Sequence, residues 1–212
     1  MLSKTRYLRL AVAVRSSARR TFSSAGAETP LAAEGIQSYS TGVKALHWAM
    51  GGATLGCFAF VNLAQQTKDK ELKMDYMFKH KSFGTLAAAL LVPRLAMRVI
   101  SKHPGPVHAA AAAWEKMAAT ASHTAMYGFL IAMPATGVAM GYYGGKGLPF
   151  FFTTIPGASK ESKNGKLAGQ AFKIHKQLGF PMEMLFLAHL GGVGYHLANG
   201  HTILGRIVPG LL

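Results

Sequence analysis

Histidines are the residues of this chain whose type and spacing point to chemistry. The chain has nine of them but only one cysteine, Cys57, which excludes a metal site built from several cysteines and an intramolecular disulfide framework. Apart from His103, His108 and His201, which lie in loops or at the end of the last apolar stretch, the histidines fall in or beside apolar stretches, where an ionisable side chain is costly and therefore indicates a functional site. These six are His47, His80, His123, His175, His189 and His196.

Four charge-poor stretches carry these histidines. They cover residues 45–67, 82–100, 117–145 and 177–205, and each is close to or above the roughly 20 residues that a helix needs to cross a bilayer. Half of all residues are hydrophobic and only 15% are charged, which excludes a disordered chain. A soluble bundle would need polar stripes with a 3.6-residue period, and the first and third stretches have none. The sequence therefore predicts an all-α fold, a membrane four-helix bundle with connections at 68–81, 101–116 and 146–176.

Helix geometry sorts the histidines into two levels. His175 and His189 are 14 residues apart, just under four helical turns, so they share a face and lie about 21 Å apart along the axis. If the four helices run antiparallel, His80 is level with His175, and His47 is near the level of His189. His196, seven residues beyond His189 and on nearly the same face, could replace it as the partner of His47. His123 lies on the His47 side as a hydrogen-bond partner of a cofactor, a quinone contact or a packing residue.

Two imidazoles from two helices are the axial ligands that a six-coordinate b-type haem requires. Both axial positions of the iron are then filled, which leaves no open site for oxygen and favours electron transfer. We therefore predict two b haems in the membrane bundle. One lies between His80 and His175, and the other lies between His47 and either His189 or His196. The helix rise separates the two levels by about 21 Å, so the haems would form an electron path across the membrane.

A leader rich in Arg and Ser precedes the first apolar stretch. Residues 1–22 hold six of the 23 Lys and Arg residues and no Asp or Glu. That composition is typical of a mitochondrial transit peptide, and a basic disordered tail is the alternative. Cleavage near Ser23 would leave residues 23–40 as a flexible lead-in. The predicted domains are the transit peptide 1–22, the lead-in 23–40 and a four-helix transmembrane cytochrome b domain, 41–212, in the mitochondrial inner membrane.

Several segments resemble bacterial-type cytochrome b561. The segments are ALHW (45–48), HKSFG (80–84), SHTAMYGFLIAMPATGVAMGYY (122–143), IHKQLG (174–179) and AHLGGVGYH (188–196). The family is a four-helix, di-haem, quinone-linked membrane protein related to the cytochrome b subunit of nickel–iron hydrogenases, and the resemblance covers roughly residues 41–209. It implies that the haem ligands are His47, His80, His175 and His189, which favours His189 over His196. Glu183, at an expected apolar position, and the transit-like leader depart from the family.

The resemblance implies an oxidoreductase that passes electrons between ubiquinone and a second partner. In one bacterial branch that partner is superoxide, and in the hydrogenase branch the cytochrome is a subunit of a larger enzyme. The alternative function is therefore a haem-bearing accessory subunit of a respiratory complex, with Glu183 and the lead-in 23–40 as contacts to neighbours. Membrane lipid, quinone, other respiratory subunits and a second copy of the chain are the expected partners, and nucleic acid is not.

Basic residues are distributed unequally between the two ends of the predicted bundle. The first and third connections share a side and hold eleven lysines, whereas the opposite side of the mature chain holds six basic residues, including Arg94 and Arg98. A cationic surface over the His80–His175 pair would steer an anion such as superoxide, or an acidic protein, toward it. The same lysines could instead face water or lipid phosphates. The positive-inside rule places the lysine-rich side in the matrix, whereas an N-terminus left in the matrix places it in the intermembrane space.

Overall fold

Four long helices dominate the computed structural model, which describes residues 38–101, 112–201 and 203–210. The helices are α1 (Thr41–Gln66), α2 (Lys70–Ile100), α3 (Ala113–Tyr143) and α4 (Gly165–Ala198). A short hairpin, β1 (Leu148–Phe150) and β2 (Thr153–Ile155), lies between α3 and α4, and a 3-10 helix follows at Ile203–Arg206. The predicted all-α four-helix bundle is thus confirmed. The predicted transit peptide 1–22, and all but the last three residues of the lead-in 23–40, lie outside the described residues.

Two helices begin well before the apolar stretch by which the sequence predicts them. Helix α2 begins at Lys70 and α4 at Gly165, so the predicted connections 68–81 and 146–176 are too long. The reason is local capping: the Asp69 carboxylate accepts from the amides of Glu71 and Leu72, and the Asn164 side chain accepts from the amide of Leu167. The charged first turns are therefore helical, and hydropathy alone misplaces the helix start.

The helices pack as two hairpins, α1 against α2 and α3 against α4, with a smaller contact between α2 and α3. Met50, Ala53 and Ala87 form the buried cluster between α1 and α2, with Phe83 and Leu86 packed against it. In the described part of the chain, the backbones of α1 and α4 make at most a few close approaches. The two hairpins therefore leave room between them for a group that is not protein.

Length and composition agree with a membrane location for part of the bundle. Helices α2 and α3 are both long and apolar enough to span a membrane, with 31 residues each. At 1.5 Å per residue they are about 46 Å long, which exceeds a hydrocarbon core of about 30 Å. The lysine-bearing first turns of α2 and α4 can therefore extend beyond the apolar layer.

The β-hairpin is fixed to α2 through Ser82. The Ser82 side chain is fully buried, its hydroxyl donates to the carbonyl of Phe78, and it accepts from the amide of Phe151 at 3.0 Å. Phe151 has a φ of 50°, a left-handed conformation that is costly for an aromatic residue, so this hydrogen bond offsets part of the strain. Phe152, at the tip, is 88% exposed, and aromatic side chains of this kind are enriched at membrane interfaces.

The C-terminal segment covers the opposite end of the bundle. The indole of Trp48 donates to the carbonyl of Ile207 at 3.0 Å, and the Lys44 ammonium reaches the carbonyl of Val208 at 3.4 Å. The amide of Tyr39 donates to the carbonyl of Arg206 at 3.1 Å. The two ends of the described chain thus meet at the start of α1, close to His47.

Candidate functional site

His80 and His175 face each other across α2 and α4. Their ring centroids are 6.3 Å apart, and the ring planes are inclined by 81°. Each histidine lies at the same distance from the first residue of its helix, and both helices begin at the lysine-rich end. Parallel helices with matched starts explain why two residues so far apart in the sequence reach the same level.

Each ring of this pair meets a backbone carbonyl through its Nδ1 atom. His80 Nδ1 lies 2.9 Å from the Cys57 carbonyl, and His175 Nδ1 lies 3.1 Å from the Met133 carbonyl and 3.0 Å from the Thr136 hydroxyl. Because a carbonyl can only accept, Nδ1 carries the proton in both rings, and the Nε2 lone pair is left for a metal. This is the hydrogen-bonding pattern that orients metal-ligating histidines.

His47 and His189 form a second pair across α1 and α4. Their ring centroids are 6.4 Å apart with ring planes inclined by 56°. His123 from α3 lies close by, with its ring centroid 5.5 Å from that of His189. Arg94 from α2 places its Nη2 atom 3.3 Å from His47 Nδ1. All four helices thus contribute a side chain to this second cluster.

The remaining candidates, His196 and Glu183, have other neighbours. His196 Nδ1 lies 2.9 Å from Nδ1 of His201, so its ring is engaged just beyond the end of α4. The Glu183 carboxylate accepts from the Asn62 amide at 2.8 Å, beside a cavity of about 240 Å³ between α1 and α4. Leu55, Phe58, Phe186 and Leu190 are among the apolar residues that line this cavity. Glu183 therefore has a polar partner within its own chain.

Comparison with known families decides what kind of protein carries these two histidine pairs. A family model described as prokaryotic cytochrome b561 matches residues 38–210. The chain belongs to this family. None of the curated proteins compared with the chain matches it significantly. Family membership makes the chain a membrane protein that binds b-type haem and transfers electrons across the membrane, and it confirms the resemblance seen in the sequence.

The histidine pairs have the spacing that a haem iron needs. Two metal–nitrogen bonds of about 2 Å each, plus about half the width of each imidazole ring, give a centroid separation of about 6 Å. The observed separations are 6.3 and 6.4 Å. The donor chemistry also agrees, because two neutral imidazoles complete the octahedral coordination of a b haem. The residues present therefore fit the cofactor at both levels.

Glycines leave space beside the histidines. A Cβ atom added at Gly51, one turn after His47, or at Gly192, one turn after His189, would meet nothing within 4 Å. Gly179, one turn after His175, is equally open. Because residues one turn apart share a helix face, the open space lies on the face that bears each ligand candidate. A flat macrocycle can lie against these glycines, which fits a haem at both levels.

The structure adds residues that the sequence reading did not assign to the site. They are Arg94, Thr136, Gly137 and the carbonyl-bearing Cys57 and Met133. Two of them had a signal in the sequence. Arg94 lies 14 residues after His80, and Gly137 lies 14 residues after His123. The same 14-residue interval separates His175 from His189. The backbone carbonyl partners have no sequence signal, since every residue type provides one.

Proposed function

We propose that the chain is a di-haem cytochrome b of the mitochondrial inner membrane that exchanges electrons with ubiquinone. His80 and His175 hold one haem, and His47 and His189 hold the other. The observation that carries the proposal is the pair of centroid separations, 6.3 and 6.4 Å, at the two levels that His175 and His189 occupy along α4. When bound, a bis-histidine b haem carries one electron at a time and binds no oxygen.

The residues around each level supply orientation rather than acid–base chemistry. The Cys57 and Met133 carbonyls keep the protons of His80 and His175 on Nδ1, so that both Nε2 atoms are ready as ligands. The His47 ring is packed at 5.6 Å against the Trp48 indole. Fixed ligands reduce the rearrangement that accompanies each electron transfer, which suits a transmembrane electron path.

The test of this proposal is the haem content of the purified full-length chain. We expect a pyridine haemochrome assay to return two haems per chain, with a low-spin spectrum. One haem per chain would contradict the two-level assignment. The quinone step is tested separately: haems reduced with dithionite, after removal of the excess, are expected to reoxidise when a short-chain ubiquinone is added without oxygen. Haems that stay reduced would contradict ubiquinone as the acceptor.

Superoxide is the electron donor that the charge distribution favours. Eleven lysines and four acidic residues lie at the end that carries His80 and His175. Two superoxide anions would each give up one electron and leave as oxygen, while one ubiquinone takes up both electrons and two protons. Because attraction between a cationic surface and a small anion is screened by salt, we expect the rate of haem reduction by superoxide to fall with ionic strength. A rate that is independent of salt would contradict steering by the lysines.

The alternative, a haem-bearing accessory subunit of a respiratory complex, has a direct test in the native membrane. Glu183 accepts a hydrogen bond from Asn62 of the same chain, so its carboxylate has a polar partner without a neighbouring subunit. We expect a native gel of solubilised mitochondrial membranes, stained for haem, to show the chain as a monomer or dimer. Comigration with a respiratory complex would instead favour the accessory role.

A further inference from the structure

Arg94 occupies the position on α2 that faces the second histidine pair. It follows His80 by the interval that separates His189 from His175 on α4, so helix rise places it about 21 Å from His80 on nearly the same face. The observed contact agrees with this geometry, because Arg94 Nη2 lies 3.3 Å from Nδ1 of His47. Helix α2 therefore provides a ligand candidate at one level and a guanidinium at the other.

The charge of Arg94 lacks an anion in the described part of the chain. Its Nη1 atom donates to the Val43 carbonyl at 3.0 Å, and its Nη2 atom meets the His47 ring. The one ion pair within 4 Å among the described residues, Lys79–Asp75, lies near the start of α2. A guanidinium has five N–H donors, and a half-buried cation in a membrane-spanning helix is costly without a counter-charge. We therefore expect an acceptor, preferably anionic, near Arg94.

Iron ligation by His47 sharpens this requirement. A guanidinium can only donate, so His47 Nδ1 is the acceptor in this contact, and the proton of the neutral ring is on Nε2. A ring that binds iron through Nε2 must carry its proton on Nδ1 instead, which would bring two donors together at 3.3 Å. Arg94 must therefore turn to another acceptor when His47 is a ligand. Its departure would release the Val43 carbonyl, one turn before His47, as an acceptor for the ring.

We propose that Arg94 binds a propionate carboxylate of the haem held by His47 and His189. A haem brings two carboxylates, and the planar guanidinium can bind one of them through two parallel N–H donors. The inference rests on the proposed function, since it needs a haem at this level. It assigns to Arg94 a positioning role and the counter-charge for one haem.

The first test compares Arg94→Gln with Arg98→Gln. Arg98 is a matched control because it is one turn further along α2, is exposed, and lies over the Tyr127 ring at 5.7 Å. A cation beside the haem stabilises its reduced form, so Arg94→Gln should lower the reduced-to-oxidised equilibrium constant of one haem about tenfold, a shift of about 59 mV for one electron. The second haem, and both haems in Arg98→Gln, should keep their potentials. Equal shifts in the two variants would overturn the proposal, because they would reflect general charge alone.

The second test asks whether Arg94 and the propionates act on each other. Wild-type chain and the Arg94→Gln variant are reconstituted with haem and with its dimethyl ester, which lacks carboxylate charge, and the potentials form a double-mutant cycle. We expect the ester to shift the potential of this haem in the wild-type chain and to cause little further shift of that potential in the variant. Additive shifts would overturn the proposal. Evidence that Arg94 binds a free anion instead of the propionate would also overturn it.

A third variant keeps the test decisive if Arg94→Gln does not accumulate. Arg94→Lys retains the charge but loses the two-donor geometry, so it should keep both haems, with a smaller shift in potential than Arg94→Gln. Its response to the ester should lie between those of the wild type and of Arg94→Gln. If the lysine variant has the same potentials as the wild type, both with haem and with the ester, the role of the guanidinium would be overturned. Failure of the proposed function would appear differently, as fewer than two haems in the wild-type chain.

Discussion

The two histidine pairs have the same spacing but different surroundings. At the His80–His175 pair, both Nδ1 atoms meet backbone carbonyls, so the rings are oriented as ligands by acceptors from α1 and α3. At the His47–His189 pair, the neighbours are a guanidinium and a third imidazole, Arg94 and His123. The first level is thus organised by the protein alone, whereas at the second level, under the proposal for Arg94, a haem carboxylate completes the hydrogen bonding. Under the proposed two-haem arrangement, these different surroundings would give the two haems different potentials.

The largest expected effect separates His189 from His196. Replacing His189 with alanine should halve the haem content, because the ligand of one haem is lost and the His47 imidazole is left without its partner. Replacing His196 should leave both haems bound, since its ring is engaged with His201. Haem-to-protein ratios of the two variants provide the check. Loss of haem from the His196 variant, with both haems kept in the His189 variant, would reverse the assignment on α4.

Loss of the Ser82 hydroxyl should destabilise the lysine-rich end. Ser82→Ala removes the acceptor of the partly buried hydrogen bond from the Phe151 amide, which should cost about 1 kcal/mol of unfolding free energy. Thr85→Ala is the matched control, because the Thr85 hydroxyl binds only the Lys81 carbonyl of its own helix. Thermal unfolding in detergent measures both variants. A Ser82 variant as stable as the Thr85 variant would show that the hairpin is held in another way.

Thr136→Val should change only the haem at the His80–His175 level, and by a smaller amount. The hydroxyl lies 3.0 Å from His175 Nδ1, but the Met133 carbonyl remains as an acceptor. Weaker hydrogen bonding makes the ligand less basic, so the potential should rise by less than the roughly 59 mV that corresponds to a tenfold change. Redox titration beside Thr120→Val, whose hydroxyl binds only its own helix, gives the comparison. A shift in the other haem would contradict the separation of the levels.

The smallest expected effect is that of Cys57→Ala. The thiol donates weakly to the His80 carbonyl at 3.7 Å, whereas the contact with the His80 ring uses the Cys57 backbone carbonyl, which alanine retains. We therefore expect the haem content and both potentials to match those of the wild-type chain. A changed potential at the His80–His175 level would assign the thiol a role that its geometry does not indicate.

The sequence was sufficient for those features that depend on helical periodicity. The spacing of His175 and His189, with antiparallel helices, predicted that His80 faces His175 and left His189 or His196 opposite His47. The structure brings His80 close to His175 and His47 close to His189. The sequence was insufficient to predict contacts made by backbone carbonyls or by charged side chains that point into the bundle. The sequence analysis counted Arg94 among the basic residues at one end of the bundle, yet its side chain contacts His47, because the interior of the bundle offers it acceptors. The early starts of α2 and α4 were missed because Asp69 and Asn164 cap charged turns that hydropathy excludes.

Redox titration of four single variants tests the central claim, that each haem belongs to one histidine pair, most directly. His80→Ala and His175→Ala should each remove the same one of the two potentials of the wild-type chain, and His47→Ala and His189→Ala should each remove the other. The reason is distance, because about 21 Å of helix rise between the levels is too far for one porphyrin to bridge. If His80→Ala and His47→Ala removed the same potential, or if any single variant removed both without unfolding, the two-pair assignment would be contradicted.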